Sequence, residues 1–385
     1  MIPYGHQHIT EADIDAVVGE LRSDFLTQGP VVPLFERAVA GRCGACHAVA
    51  ANSATSALHL ACLAFGLGPG DVMWTVPNTF VASANCGRYC GADVDFVDID
   101  RNSWSMDVSM LRAKLVAARK GGRLPAVVVP VHFGGQPTDQ EDIWALAQEF
   151  GFRVLEDASH SIGASRHGEP VGNCRWSDVT VFSFHPVKII TTAEGGMALT
   201  NDEELALRMA TLRSHGITRD PARMHRPSQG PWYYEQLDLG HNYRMNDLQA
   251  ALGLSQLERL DDLVERRNML ARRYDDMLSG LPLVLPTIRP GNTSAFHLYV
   301  VRLRADVVQR SQQQVFERLR RNGVGVNLHY LPVHLQPYYR KLGFTPGVYP
   351  EAERHAQEAM TLPLYPALTE AEQDFVVSAL REALA

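Results

Sequence analysis

Val181-Phe182-Ser183-Phe184-His185-Pro186-Val187-Lys188, followed after two isoleucines by Thr191-Thr192-Ala193-Glu194-Gly195-Gly196, is the stretch on which the fold turns. An apolar, aromatic and β-branched run leads into a polar turn that carries a lysine. This predicts a buried strand over 178–184 and another over 197–200. Upstream, Leu155-Glu156-Asp157-Ala158-Ser159-His160 closes a second apolar run, so an acidic pair stands at a strand end, with Asp157 31 residues before Lys188. Further back, short apolar runs at 72–76, 94–99, 126–131 and 153–156 alternate with helical patterns over 79–90 and 139–150. Buried strands separated by helices are the mark of an α/β fold with a mostly parallel sheet covered on both faces. Such sheets bind ligands at the carboxyl ends of their strands, which is where Asp157 and Lys188 stand.

The rest of the chain sets bounds. Its 385 residues exceed one ordinary domain, with 45% hydrophobic and 21% charged residues and a net charge of −7. That mildly acidic balance gives no basic surplus for nucleic acid or an anionic membrane. The start, Met1 to Gln7, has no basic stretch leading into an apolar run, and the most apolar window, Ala48 to Gly68, is broken by Asn52, Ser53, Thr55, Ser56 and His59. No export signal, no membrane span and a cytoplasmic location are expected. The turn Gly68-Pro69-Gly70-Asp71 follows a helix and precedes a strand, the reverse of a dinucleotide-binding fingerprint. Cys43-x-x-Cys46 has no second pair to complete a zinc site, so no metal is expected, and Cys86 and Cys90 read as small thiols on an Ala-rich helix.

Beyond a helix near 202–214 lies an irregular, Arg- and aromatic-rich stretch from His215 to Asn242, long enough to be a lid or an interface. Leu248, Ala251, Leu252, Leu260, Val264 and Tyr274 then recur at helical spacing, predicting one helix over 246–278, about 50 Å long. Leu281-Pro282 stops it. Strands over 296–303 and 324–328 around a helix over 312–322 complete the chain. The expected organisation is a large domain over 1–280, ending in the long bridging helix, and a smaller α/β domain over 281–385.

Singly, the polar residues at the strand ends say little. A strand-end Asp is often a cap, a lone Lys a solvated charge, and Ser53 in Asn52-Ser53-Ala54-Thr55-Ser56 an ordinary helix cap. Together they match what pyridoxal phosphate demands. That cofactor needs a lysine for a Schiff base, a carboxylate to keep its pyridine nitrogen protonated, and a helix N-terminus for its phosphate. Phe80, in Pro77-Asn78-Thr79-Phe80, is placed to cover the ring, with plain core packing as the alternative.

These segments, with Leu26-Thr27-Gln28-Gly29-Pro30, Glu194-Gly195-Gly196 and Asn242-Tyr243-Arg244-Met245, resemble the pyridoxal-phosphate-dependent nucleotide-sugar aminotransferases of the DegT/DnrJ/EryC/StrS type. Those enzymes share the aspartate-aminotransferase fold, fold type I. The resemblance extends to Ser214 through Arg219, Trp232-Tyr233-Tyr234-Glu235 and His329 through Pro337, and it is strongest to the pseudaminic acid branch. It implies Lys188 as the Schiff-base lysine, Asp157 as partner of the pyridine nitrogen and His160 near the phenolic oxygen. Ala54 and Thr55 would give backbone N–H groups to the phosphate, Ser183 a hydroxyl, and Asn242 a contact from the second subunit of a homodimer. Thr27, His329 and Tyr330 match regions that line the sugar-nucleotide site. Thr27 can equally serve a local turn, His329 can be a satisfied histidine, and Arg219 and Arg244 can pair a phosphate or hold the loop.

The implied reaction is ping-pong. L-glutamate becomes 2-oxoglutarate, leaving the cofactor as pyridoxamine phosphate, and a UDP-linked 4-keto-6-deoxy-N-acetyl-L-altrosamine takes up the amine. A sugar dehydratase of the same fold lacks the lysine, so Lys188 argues against one. Two alternatives stand: an aminotransferase for another nucleotide-linked keto sugar, and a non-catalytic regulator or assembly partner of the same fold.

Overall fold

The computed structural model describes all 385 residues. Its main sheet is built from β1 (His47–Ala51), β2 (Val72–Thr75), β3 (Asp93–Phe96), β4 (Val127–Val129) and β5 (Arg153–Asp157). A small hairpin, β6 (Ser165–Arg166) and β7 (Glu169–Pro170), precedes β8 (Val179–Ser183) and β9 (Gly196–Thr200), which complete it. Across the sheet the order is β1-β9-β8-β5-β4-β2-β3. Only β9 runs against its neighbours; the pairs from β8 to β3 are parallel. The expected α/β class and mostly parallel sheet are present. β4 is three valines, all buried, as a strand covered on both faces requires. β1 was not foreseen, because His47-Ala-Val-Ala-Ala has one β-branched residue and owes its strand state to pairing with β9.

β5 and β8 are neighbours, with Asp157 level with Val181. This adjacency brings Asp157 to the loop that carries Lys188. Gly196 opens β9 against the start of the Ala54–Ala64 helix, where any Cβ would strike the Ala54 backbone nitrogen. A glycine is required for that close approach.

In the stretch 215–242 the strands are β10 (Ile217–Thr218) and β11 (Glu235–Gln236), paired with each other, and Asn242 makes an isolated bridge to Ser214, while Trp232 is 73% and Leu239 80% exposed. A three-stranded antiparallel sheet of β12 (Leu283–Val284), β14 (Tyr299–Leu303) and β15 (Ala359–Leu362) packs its own apolar cluster, including Tyr274, Leu319 and Leu380. β13 (Asn292–Thr293) lies between them in sequence but pairs with β6 instead.

Two expectations need correction. The single helix over 246–278 is two, Asp247–Leu257 and Leu260–Leu278. Arg259 leaves helical geometry at the joint (φ −105°, ψ 11°) and reaches Asp13, a fully buried carboxylate, at 2.6 Å. Pairing that buried charge outweighs one uninterrupted helical turn. The strand expected over 324–328 is absent: Val324 and Asn327 make only isolated bridges, to Ile2 and Thr361. Gly325 donates its N–H to Ile2 O at 2.7 Å, so the N-terminal segment takes the backbone bonds a sheet neighbour would have made. No helix is long and apolar enough to cross a membrane.

Candidate active site

The carboxyl ends of β5 and β8, the start of the Ala54–Ala64 helix and the His329–Tyr330 loop enclose a cavity of about 460 Å³. Lys188, Asp157, His160 and Ser183 line it, as do Ala54, Thr55, Phe80, His329 and Tyr330, with the Phe80 and Tyr330 rings 6.2 Å apart. Residues from five separate stretches of sequence meet there. Thr27 and Asn242 do not line it; both are exposed elsewhere on the chain.

Asp157 is 5% exposed and tightly held. Its Oδ2 accepts the Ser83 hydroxyl proton at 2.6 Å and its Oδ1 the Ser159 N–H at 3.1 Å. Ser83 Oγ in turn lies 2.7 Å from Thr79 Oγ1. With the Ser83 proton committed to the carboxylate, Thr79 must be the donor of that pair. The relay runs Thr79 to Ser83 to Asp157, fixing the carboxylate in place.

Lys188 follows β8 by one turn, its N–H bonded to His185 O at 2.9 Å. Burial is the main cause that lowers its amine from 10.5 to about 8, against the attraction of Asp157. The lysine therefore releases its proton far more readily than one in water, as a nucleophile or proton carrier requires. The same shift has a cost in stability. Between pH 8 and 10.5 the unfolded chain holds a proton that the folded one has lost, so stability rises with pH through that window and is lower below it. Lys188 keeps some surface open to the cavity, so the cost at pH 7 is on the order of 2–3 kcal/mol. Cofactor-free Lys188→Met is thus expected to melt several degrees above cofactor-free wild type at pH 7, with the gap closing by about pH 10.5. Paired denaturation curves across that range check it, and a gap independent of pH would refute the lysine's depressed titration.

The cavity also holds a histidine and tyrosine pair. His160 Nδ1 accepts the Gly134 N–H at 3.2 Å, so the ring proton sits on Nε2, which lies 3.2 Å from Tyr330 Oη. Burial first, then the Lys188 charge, drives His160 well below the ordinary histidine range, so the ring is neutral and donates to Tyr330. Tyr330 then has its own proton free for a group in the cavity. Burial pushes that phenol up, keeping it a donor. His329 Nδ1 lies 2.7 Å from Thr361 Oγ1, and its Nε2 3.4 Å from Asn327 Nδ2, an amide that can only donate. His329 is therefore a satisfied, neutral histidine, lowered to about 3 chiefly by burial, that also lines the cavity.

At the helix start, Ser53 Oγ accepts the Ser56 N–H at 3.1 Å, so Ser53 is the helix cap, and it also borders the cavity. The first two N–H groups of the helix, on Ala54 and Thr55, have no acceptor within a helical turn by geometry. They border the cavity beside Ser183, whose Oγ accepts the His185 N–H at 3.4 Å and keeps its proton free to donate. Phe80 is 58% exposed, an open apolar ring beside the polar groups. An amine, a carboxylate, free donors at a helix N-terminus and a flat ring are the groups that pyridoxal phosphate requires, and these residues fit it.

Sequence reasoning missed several residues here. Ser83 lies 74 positions from the Asp157 it serves, and His297 lies 109 positions from Lys188, whose Nζ it meets at 3.3 Å. Tyr4 and Asn327 also reach the cavity wall from distant segments. The small polar residues of Thr79 through Ser83, next to the noted Phe80, were the one local hint.

Residues 7–381 match the DegT/DnrJ/EryC1/StrS aminotransferase family. The chain is 39% identical over 384 residues to the spore coat polysaccharide biosynthesis protein SpsC of Bacillus subtilis, covering 99% of this chain and 96% of that protein. It is 38% identical over 343 residues to the UDP-4-amino-4,6-dideoxy-N-acetyl-beta-L-altrosamine transaminase of Campylobacter jejuni, covering 89% of this chain and 87% of that protein. Helicobacter pylori PseC, an aminotransferase involved in pseudaminic acid biosynthesis, superposes with a TM-score of 0.91 at 30% identity, over 100% of this chain and 99% of that one. Streptococcus pneumoniae Spr1654, described as a sugar aminotransferase in its PMP form, superposes with a TM-score of 0.90 at 30% identity over the same shares. The enzymes of this family are pyridoxal-phosphate-dependent. With that match over nearly its whole length, and a cavity that fits the cofactor, the chain belongs to the DegT/DnrJ/EryC1/StrS aminotransferase family.

Proposed function

We propose that this chain moves an amino group from L-glutamate to the 4-keto position of UDP-4-keto-6-deoxy-N-acetyl-L-altrosamine in pseudaminic acid biosynthesis, releasing 2-oxoglutarate. The observation that carries this reading is the likeness, in sequence and in fold, to two enzymes named for that chemistry. Lys188 is the lysine that holds the cofactor covalently. Bound pyridoxal phosphate supplies an electron-withdrawing ring that makes the donor's α-proton acidic and carries the amino group between substrates. Once displaced, Lys188 takes that proton at Nζ and would return it to the carbon on the far side of the transferred nitrogen, as general base and then general acid. Asp157, oriented by Ser83 and Ser159, holds the proton on the pyridine nitrogen. Ala54, Thr55 and Ser183 bind the phosphate, Phe80 covers the ring, and His160 with Tyr330 holds the phenolic oxygen. His329 and Tyr330 face the sugar.

Asn242 and the exposed aromatic stretch before it serve a second copy of the chain, so the working unit is a homodimer in the cytoplasm. Asn242 reaches the partner's phosphate, and Thr27 lines the sugar-nucleotide site. A second reading, amination of a different nucleotide-linked keto sugar, draws support from the spore coat polysaccharide relative, whose match spans more of the chain.

A half-reaction separates the two. The cofactor-loaded protein is converted to its pyridoxamine form with L-glutamate, and single UDP-linked 4-keto-6-deoxy sugars are added while the absorbance of the lysine-bound cofactor is followed. Fast return with the L-altrosamine derivative and slow return with its D-gluco epimer is the expected result. Return only with another keto sugar would discard the pathway and keep the aminotransferase.

A further inference from the structure

Lys188 Nζ makes one side-chain hydrogen bond in the chain, 3.3 Å to His297 Nε2. His297 is 5% exposed and lines the cavity, and its other ring nitrogen, Nδ1, is buried without a partner. A ring held only for structure would use Nδ1. Here the single bond made is the one to the lysine.

The backbone around His297 is held to place it. Gly134 O accepts the Leu298 N–H at 3.1 Å and Gly135 O accepts the Ala295 N–H at 3.0 Å, on either side of the histidine. Gly135 sits at φ +112°, and a Cβ there would meet Phe296 N at 2.7 Å, so only glycine lets these segments close. The N–H of Gly134 is the one that fixes the His160 tautomer. One glycine turn thus holds both histidines, whose ring centroids are 4.4 Å apart. Behind them Arg267, 1% exposed, spreads Nη1 over the carbonyls of Phe296 (3.3 Å), His297 (3.5 Å) and Leu364 (3.0 Å).

Charge decides which partner donates. His297 is held well below the ordinary histidine range, by burial first and then by the charge of Lys188, with the Arg267 guanidinium adding to it. It is a neutral ring with a lone pair to offer. Around Lys188, Asp157 favours the ammonium, His160 and His329 are neutral, and Tyr330 is un-ionised. His185 and Glu194 of its own loop also border the cavity. The lysine N–H donates and His297 Nε2 accepts.

We propose that His297 is a positioning residue that takes hold of the Lys188 amine whenever the lysine is released from the cofactor, accepting an N–H at Nε2 and keeping Nζ inside the cavity. The inference rests on the reading of Lys188 as the cofactor's lysine. It gives the freed amine a defined place during the proton transfers, where a flexible four-carbon chain would otherwise search its rotamers.

The test uses the full-length protein loaded with pyridoxamine phosphate, in which Lys188 is a free amine. Trace labelling with isotopic acetic anhydride across pH, followed by peptide mass spectrometry, gives the titration midpoint of Lys188. Removing an acceptor from an ammonium disfavours the charged form. His297→Leu should lower the midpoint by about one pH unit, making labelling at pH 7 about fivefold faster. His297→Gln, whose carbonyl accepts the same N–H, should restore it. Should the leucine variant not fold, His297→Phe refills the ring's space and reads the same midpoint. An unmoved midpoint in the apolar variant would overturn the proposal. Borohydride reduction of the pyridoxal-phosphate-loaded wild type marks the other failure: cofactor fixed on a residue other than Lys188 would remove the reading underneath, and His297's role with it.

Discussion

Lys188→Ala is expected to yield a folded protein with turnover reduced ~10⁴-fold or more and without the absorbance of a lysine-bound cofactor. Alanine removes two functions at once, the covalent attachment and the proton carrier. Among the buried neighbours nothing replaces them: His160 and His329 are neutral and committed to hydrogen bonds, Asp157 is held by Ser83 and Ser159, and His297, which loses its one partner with the lysine, is held so far below the ordinary histidine range that it is a poor base. The loss cannot be ascribed to unfolding, because removing a buried ammonium relieves a penalty. The alanine variant should be as stable as wild type at pH 7 or more so. Binding of pyridoxal phosphate through Ala54, Thr55 and Ser183 should persist, weakened but measurable by fluorescence. Wild-type turnover by this variant would end the mechanism.

The sequence was legible where chemistry and local structure coincide. β5 and β8 each end in a polar residue after a buried run, so the pattern that marks the strand also marks the site, and Asp157 and Lys188 were read from it. Ser53 as a cap was equally local, since Asn52-Ser53-Ala54-Thr55-Ser56 carries both the cap and the free N–H groups behind it. What escaped depends on pairing across the chain. His297 is held by a glycine turn and an arginine that approach from two other segments, and no local periodicity reports on them. The break at Arg259 exists because Asp13, 246 positions away, needs a cation. The helical pattern runs unbroken through that point, so sequence spacing alone overruns it. The segment 324–328 has the composition of a strand, but its bonds go to Ile2 and Thr361, partners that a window of neighbours does not contain.

Asp157→Asn should fold like wild type, keep the cofactor on Lys188, and lose ~10²–10³-fold in the rate of the L-glutamate half-reaction. The substitution is isosteric, and the surroundings can absorb it. Ser159 N–H can still donate to a carbonyl at Oδ1, and an amide NH₂ at Oδ2 would face Ser83 Oγ, which can turn its own proton to Phe80 O at 3.3 Å. No buried donor is stranded, so stability changes little. What the amide cannot supply is negative charge. A neutral partner leaves the pyridine nitrogen unprotonated at neutral pH, and the ring then withdraws electrons poorly when the donor's α-proton leaves. The same lost charge has a second reading that activity does not touch. Asp157 is the group that raises the Lys188 titration against the effect of burial, so in Asp157→Asn the Lys188 midpoint should fall further below about 8. Labelling of the pyridoxamine-phosphate form across pH would show it. A lowered midpoint with a slowed half-reaction ties both effects to one carboxylate, whereas an unchanged rate would take Asp157 out of its assigned role, whatever the midpoint did.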